Sequence, residues 1–247
     1  MTSFPGPPSM YGEFAEWFHL LTSPADYEVE AQVYGRLLNE SAEIPVRTVL
    51  ELGSGGGNNA SHMKAHFELT LVDLSPDMLE LSKTLNPDLE HVQGDMRTLD
   101  LGRQFDGVFI HDAIVYMIIE DDLRSAIATA FDHCKPGGAA VFAPDNVKET
   151  EVAQTEHGGN DGIGRSMRYL EWSWDPDPHD ETYVTDYAYL LKEGDGEVRV
   201  AHDRHICGLF PRATWLRLIE DVGFRAERRE GVEGETGLDI FVGVKPT

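Results

Sequence analysis

The sequence predicts an α/β fold: a mostly parallel sheet with helices on its faces, and an antiparallel β insertion late in the chain. Three features predict it. Short apolar runs alternate with helix-like segments between about residues 45 and 145, as crossover connections in a parallel sheet require. The first run, Val49-Leu50-Glu51-Leu52, passes directly into Gly53-Ser54-Gly55-Gly56-Gly57, a glycine turn at a strand end. From residue 146 the alternation stops, and three strand-like runs follow one another across turn residues.

Each element has its own signal. Residues 1–10 are rich in proline and are expected to be mobile. Residues 11–40 read as helical. Phe14, Trp17, Phe18 and Leu21 recur at helical spacing, as do Val33, Tyr34, Leu37 and Leu38, and Pro24 separates the two segments. A second strand, Leu69-Thr70-Leu71-Val72, ends at Asp73. Ser75-Pro76-Asp77 starts a helix with a serine cap, a proline in the first turn and a carboxylate against the dipole. A third strand, Leu89–Gln93, leads into Gly94-Asp95-Met96, and a fourth, Phe105–Ile110, ends at His111-Asp112. A helix from about Asp121 to His133 stops before Pro136. Lys135-Pro136-Gly137-Gly138 then turns into a fifth strand, Ala139–Ala143.

The insertion begins with Gly158 to Gly164, which reads as a flexible loop. Strands are expected at Met167–Trp174, Tyr183–Leu191 and Val198–Leu209. It gathers Tyr169, Trp172, Trp174, Tyr183, Tyr187 and Tyr189, which read as a substrate cap and a candidate dimer surface; the alternative is that they fill a buried sheet face. Pro211 opens a helix whose Trp215, Leu216, Leu218, Ile219 and Val222 form an apolar stripe, and Gly223 ends it. A last strand covers Leu238–Val244. The expected organisation is therefore an N-terminal helical segment over residues 1–40, which the resemblance described below makes a lid, an α/β core over 41–145, an antiparallel β cap over 146–200, and a C-terminal part of the core sheet over 201–247.

Composition narrows the function. Apolar residues make up 41%, enough for a real core, and 20 Lys plus Arg face 44 Asp plus Glu, a formal charge of −24. That field repels nucleic acid and anionic membrane, so neither is expected as a partner. Two cysteines without metal spacing suit a reducing cytoplasm. No apolar run is long enough to span a bilayer. His202 and His205, three apart on a strand, fall on opposite faces and cannot chelate one ion, so no metal is expected. Each is read as a partly exposed strand histidine, though one of them could line the cap.

The glycine turn points to a cofactor. A phosphate-cradling loop needs Gly-Lys-Ser/Thr, but Gly57 is followed by Asn58 and Asn59. The dinucleotide fingerprint needs a packing glycine where Asn58 stands. Asp73 at the second strand end can accept both hydroxyls of an unphosphorylated ribose. Asp95 can accept from an adenine amino group, with Met96 as a soft surface for the ring.

The ordered set Glu51-Leu-Gly-Ser-Gly-Gly-Gly57, Asp73, Gly94-Asp95-Met96, Phe105 to Asp112 and Pro136-Gly-Gly138 resembles the class I S-adenosylmethionine-dependent methyltransferases, over roughly residues 45 to 145. Weaker likeness continues through Leu209-Phe210 and the last strand, and the whole chain most resembles the small-molecule branch that includes N,N-dimethyltransferases of antibiotic amino sugars. The resemblance implies a Rossmann-like seven-stranded sheet, S-adenosylmethionine as cofactor, N-terminal helices closing over it, and methyl transfer to N or O of a small acceptor. Gly53, Ser54 and Gly55 would meet the methionine part. Glu51 would reach its ammonium through water, or else cap a helix. Asp73 would hold the ribose and Asp95 with Met96 the adenine, with Tyr11, Leu74, Met78, Arg97 and His111 completing the set. Tyr116, at a position that carries His or Tyr in the branch, would orient an amine or hydroxyl, unless it is a packed core tyrosine. Asp112 would accept a proton or hold an amine's charge, unless it caps the following helix. Pro144-Asp145-Asn146-Val147 departs from the amino-sugar enzymes. The rival readings are an NAD-linked oxidoreductase, which Asn58 opposes, and a non-catalytic cofactor-binding protein.

Overall fold

The structure, a computed structural model, describes residues 8–230 and 239–247. The N-terminal part is helical in short pieces. Single 3-10 turns at Ser9–Tyr11, Ala15–Trp17 and Pro24–Tyr27 flank the one-turn α1 (Phe18–Leu21), and only α2 (Glu28–Ser41) is long. Pro24 ends the first run as expected, with Ser23 capping the next turn by accepting from the Ala25 amide. The mobility expected of residues 1–10 falls mainly on residues 1–7, which lie outside the described residues.

The core follows as β1 (Thr48–Leu52), α3 (Asn58–Met63), β2 (Glu68–Asp73), α4 (Pro76–Leu85), β3 (Glu90–Gln93), β4 (Phe105–Ile110), α5 (Glu120–His133) and β5 (Cys134–Phe142). The insertion supplies β6 (Gln154–Gly158), β7 (Asp161–Gly162), β8 (Arg165–Trp174), β9 (Thr182–Glu193) and β10 (Arg199–Gly208). The chain closes with α6 (Arg212–Val222), β11 (Arg225–Glu230) and β12 (Asp239–Val244). The seven-stranded sheet has the order β11-β12-β5-β4-β1-β2-β3; β3 to β5 are parallel, whereas β12 joins β5, and β11 joins β12, antiparallel. The second sheet is antiparallel, in the order β10-β9-β8-β6 with β7 on β8. This is the Rossmann-like, mostly parallel architecture expected, with a separate antiparallel insertion.

Strand alternation divides the core into two layers. Leu50 and Leu52 pack with α5 and α6 residues such as Ile127, Trp215 and Leu218. Val49, on the opposite face of the strand, packs with Tyr34 and Leu38 of α2. Glu51 alternates with Leu50 and Leu52, so the first strand ends by aiming a carboxylate away from its larger apolar layer. Ser75 accepts from the Met78 amide at 3.2 Å, as its capping position requires. Gly223 closes α6 at φ +120°.

One expectation needs revision, and one strand was not anticipated. The segment Gly158 to Gly164 is no free loop: Gln154–Gly158 pairs with β8, and Asp161–Gly162 pairs again beyond the bend. Its residues are polar and mostly exposed, so no apolar alternation announces the strand. β11, Arg-Ala-Glu-Arg-Arg-Glu, is invisible for the same reason. The last strand is described from Asp239 onward, and Leu238 lies outside the described residues. Among the described residues no helix is long and apolar enough to cross a membrane. Cys134 and Cys207 are both free and buried.

Asp239 locks the far side of the sheet. It is 3% exposed and accepts from Arg212 of α6 and Arg228 of β11 at 2.6–3.1 Å. Asp239→Ala strands two partly covered guanidinium groups against each other, and should lower the unfolding free energy by about 2–4 kcal/mol in urea titrations.

Candidate active site

A cavity of about 1680 Å³ lies over the carboxyl ends of the parallel strands. Its floor is the glycine turn after β1, its near wall the N-terminal helical turns, and its roof the inner face of the second sheet.

The floor is built by close approach. Gly53 adopts φ +72°, and a Cβ there would stand 2.3 Å from Ala113 Cβ in the 3-10 turn (Asp112–Tyr116) after β4. Asp73 ties the neighbouring strand end to this turn, its two carboxylate oxygens accepting from the Gly55 and Ser75 amides at 2.8 Å each. Burial pushes its pKa upward against those hydrogen bonds. Glu51 is 3% exposed, its Oε2 has no hydrogen-bond partner, and burial pushes its carboxyl up to about 8. Ser54 Oγ is likewise buried without a partner.

At the next strand ends, Asp95 is gripped by the Arg97 guanidinium at 2.6 Å, and Arg97 reaches on to Asp122 at 2.9 Å. The Arg97 hydrogen bonds hold the Asp95 carboxyl below its ordinary range. Met96 and Leu74 also face the cavity, Leu74 with 60% of its surface exposed. Met78 differs from the other residues expected to meet a cofactor. It is fully buried, absent from the cavity lining, and its Cε sits 3.8 Å from the Cβ position of Gly55, so it supports the turn from beneath.

The other side holds two polar systems. In one, His111 Nε2 meets Asp112 Oδ1 at 2.8 Å, and Nδ1 meets the Asn59 amide at 3.3 Å. Burial disfavours the imidazolium, but the Asp112 carboxylate overrides it and raises His111 to about 9. Asp112 is also hydrogen-bonded to Asp145. Burial, then the charge of Asp112, holds Asp145 protonated well above the usual carboxylate range, while His111 keeps Asp112 ionised. In the other system, Tyr11 Oη and Tyr116 Oη lie 2.8 Å apart, Tyr116 Oη is 2.9 Å from His205 Nδ1, and His205 Nε2 is 3.3 Å from Asp203 Oδ2. Asp203 also accepts from the Ser9 and Met10 amides at 3.0 and 2.8 Å. Burial raises both tyrosines far above the ordinary phenol range, so they stay neutral.

The fold thus brings Tyr11, Glu51, Asp73, Asp95, His111, Asp112 and Tyr116 to one cavity, together with Gly53, Ser54, Gly55, Leu74, Met96 and Arg97. Asp203 and Glu171 were not anticipated, whereas Asp145 belongs to the segment that departs from the amino-sugar enzymes and His205 is one of the two histidines that could line the cap. His205 is 4% exposed rather than a partly exposed strand histidine. Alternation would have found it, because Asp203, His205 and Cys207 share the buried face of β10 while His202 points outward. Asp145 follows the fifth parallel strand, where ligands gather in such sheets. The cap aromatics divide by face as well: Tyr169, Tyr183 and Tyr187 face the cavity, whereas Trp172 is 53% exposed on the outside and lies tilted against Trp174, ring centroids 4.4 Å apart.

The protonated state of Asp145 has a pH signature. A carboxyl raised on folding contributes its full stability below the unfolded value of about 3.9, and loses it as pH rises towards the folded value. Asp145→Asn removes that loss. Its melting temperature should gain on the parent protein as pH rises above the unfolded carboxyl value of about 3.9, with no gain below it. A constant offset across the range would contradict the protonated state.

Comparison with known proteins agrees with this geometry. The chain matches the methyltransferase domain family over residues 49–138. It is 29% identical to a dTDP-3-amino-3,4,6-trideoxy-alpha-D-glucopyranose N,N-dimethyltransferase of Streptomyces venezuelae, over 89% of this chain and 91% of that protein. It is 27% identical to a dTDP-3-amino-3,6-dideoxy-alpha-D-glucopyranose N,N-dimethyltransferase of Streptomyces fradiae, over 97% and 94%. The solved sugar N-methyltransferase KedS8 from Streptoalloteichus sp. superposes with a TM-score of 0.84 at 26% identity, over 100% of this chain and 98% of that one. Fold, strand-end loops and relatives together make the chain a class I S-adenosylmethionine-dependent methyltransferase, which transfers a methyl group to nitrogen or oxygen of a small-molecule acceptor and resembles the amino-sugar N,N-dimethyltransferases.

Proposed function

We propose that the acceptor atom is an amine nitrogen on a sugar-like molecule. The observation that carries this reading is the acceptor end of the cavity, where Asp112, Asp145 and Glu171 stand beside tyrosine hydroxyls. Carboxyl and hydroxyl oxygens there can accept hydrogen bonds from an arriving amine, and the relatives above are named as amino-sugar N,N-dimethyltransferases.

The site fits the cofactor on its own evidence. An unpartnered, buried Glu51 Oε2 suits the ammonium of the methionine part, and Gly53 leaves a cradle that a side chain would fill. On this reading Gly53, Ser54 and Gly55 hold the methionine part. Asp73, fixed by two amides, holds the ribose, and Asp95 with Met96 takes the adenine. Tyr11, Leu74, Arg97 and His111 complete the walls, and Met78 acts only through Gly55. The bound cofactor supplies a methyl group activated for in-line displacement.

The chain's own residues then position and deprotonate the amine. A proton leaving the amine passes through the Tyr116 hydroxyl to His205 Nδ1, and Asp203 on the opposite ring nitrogen steadies the imidazolium. Tyr116 is a relay, because burial keeps it neutral. Asp112 holds charge and orients His111. Residues 1–40 serve as the lid and the antiparallel insertion, which runs on to Gly208 at the end of β10 rather than stopping at residue 200, as the cap, and together they exclude water. Exposed Leu170, Trp172, Leu190 and Val200 on the cap's outer face support a homodimer, and two free cysteines support a cytoplasmic setting. The charge of −24 speaks against nucleic acid or membrane as partner.

Calorimetry with S-adenosylhomocysteine tests the cofactor half. Glu51, raised to about 8, is neutral near pH 7 in the free protein and should ionise against the ligand's ammonium. Binding at pH 7 should therefore release protons in buffers of differing ionisation enthalpy, and Glu51→Gln should abolish the release. Binding of NADH in place of the sulfur compound would overturn the assignment. The relay is tested by Tyr116→Phe, which should cut kcat on an amine acceptor by about 10–100-fold while leaving S-adenosylhomocysteine affinity intact. Unchanged kcat would remove Tyr116 from the reaction.

A further inference from the structure

The charge around the cavity is one-sided. Among the described residues, the lysine and arginine side chains lining it are Arg97 and Arg204, and both are taken. Arg97 is bound by Asp95 and Asp122 at 2.6 and 2.9 Å, and Arg204 by both oxygens of Asp186 at 2.8 and 2.7 Å. His111 is matched by Asp112 at 2.8 Å. Residues 1–7 and 231–238, outside the described part, contain no lysine or arginine.

Besides Arg204 and His205, which Asp186 and Asp203 match, the roof and the fifth strand end add acids: Asp145, Glu156 and Glu171. Glu171 opposes Tyr187 across the β8–β9 pair, so a carboxylate and an aromatic ring lie side by side on the inner face. Such a wall suits a hydroxylated ring bearing a cation. It does not suit a diphosphate, whose charge calls for free guanidinium or ammonium donors.

We infer that the acceptor reaches this site as a cationic, phosphate-free amine, such as an amino glycoside, rather than as a nucleotide diphosphate-linked amino sugar of the kind named for the relatives. The inference deepens the amine-methyltransferase reading and rests on it. The acidic protein as a whole works in the same direction, drawing cations towards the cavity at low salt and repelling diphosphates.

The test uses the full chain saturated with S-adenosylhomocysteine and two probes that share one sugar. One is methyl 3-amino-3,6-dideoxy-α-D-glucopyranoside; the other is the same amino sugar linked to thymidine diphosphate. In calorimetry at about 20 mM NaCl the glycoside should bind at least about ten-fold tighter. Raising NaCl to about 500 mM should weaken the glycoside and strengthen the diphosphate. Glu156→Arg changes an exposed side chain on β6, so the fold is not at stake, and it should narrow the preference by about five-fold or more. Glu171→Gln should weaken the glycoside alone. Tighter binding of the diphosphate-linked sugar, or its displacement by thymidine diphosphate, would overturn this inference while leaving amine methylation in place. Binding of neither amine would overturn both readings of the acceptor. Failure of S-adenosylhomocysteine to bind would remove the methyltransferase reading itself and this inference with it.

Discussion

The site depends on how closely the strand ends of the parallel sheet can meet, and that distance is set by missing side chains. A Cβ on Gly53 would sit 2.3 Å from Ala113, and one on Gly57 would sit 2.3 and 2.4 Å from Ser82 and Asn86. Both glycines have positive φ, so geometry and sterics make the same demand. With the chain this tight, the turn after β1 touches the turn after β4 on one side and α4 on the other. Asn86, wholly buried, donates to the Gly57 carbonyl at 2.9 Å, and Asp73 receives the Gly55 amide. A larger residue at Gly53 would displace the segment Asp112–Tyr116, and with it the groups on the acceptor side.

The second constraint joins the N-terminal turns to the antiparallel sheet. Met10, Phe14 and Trp17 pack against Met167, Tyr189 and Leu191. That apolar contact alone would let the segment slide. Asp203 prevents it, because a carboxylate only 6% exposed needs partners and finds them in two successive backbone amides and His205. Ser75 Oγ adds a tie from the start of α4 to the Tyr11 carbonyl. Tyr11 is thereby placed opposite Tyr116, although the two lie on separate modules. One buried acid both anchors the wall of the cavity and ends the hydrogen-bonded chain that faces the acceptor.

The legible and illegible parts of the sequence separate along this division. Parallel strands buried on both faces announce themselves as apolar runs, and their ends are punctuated by glycine or acid. The route from Glu51 through Asp73 and Asp95 to Asp112 could therefore be read directly. Met78 was misplaced, since helical spacing does not reveal which turn of α4 lies under Gly55. β6 and β11 were hidden because edge strands need no apolar alternation. The Tyr11–Tyr116–His205–Asp203 chain was hidden for another reason. Its members lie up to 194 positions apart, from Tyr11 to His205, and only tertiary packing brings them together.

An acid-lined cavity presents a difficulty for amine methylation. Carboxylates that attract an ammonium also stabilise its proton, and the proton must leave before nitrogen can attack. The ionisation states in this protein ease the conflict. Asp145 is held neutral by burial and by Asp112, and the charge of Asp112 is answered by His111. Glu51 is held largely neutral by burial. Little free negative charge therefore stands at the reacting end, despite the number of acids there, while Glu156 on β6 is exposed to solvent. Attraction acts at the mouth, where the cation enters, and fades inside, where an ammonium would be trapped. His205 then has a proton to take from an amine that no adjacent carboxylate holds strongly. Its own positive charge is met by Asp203, which its hydrogen bonds hold ionised.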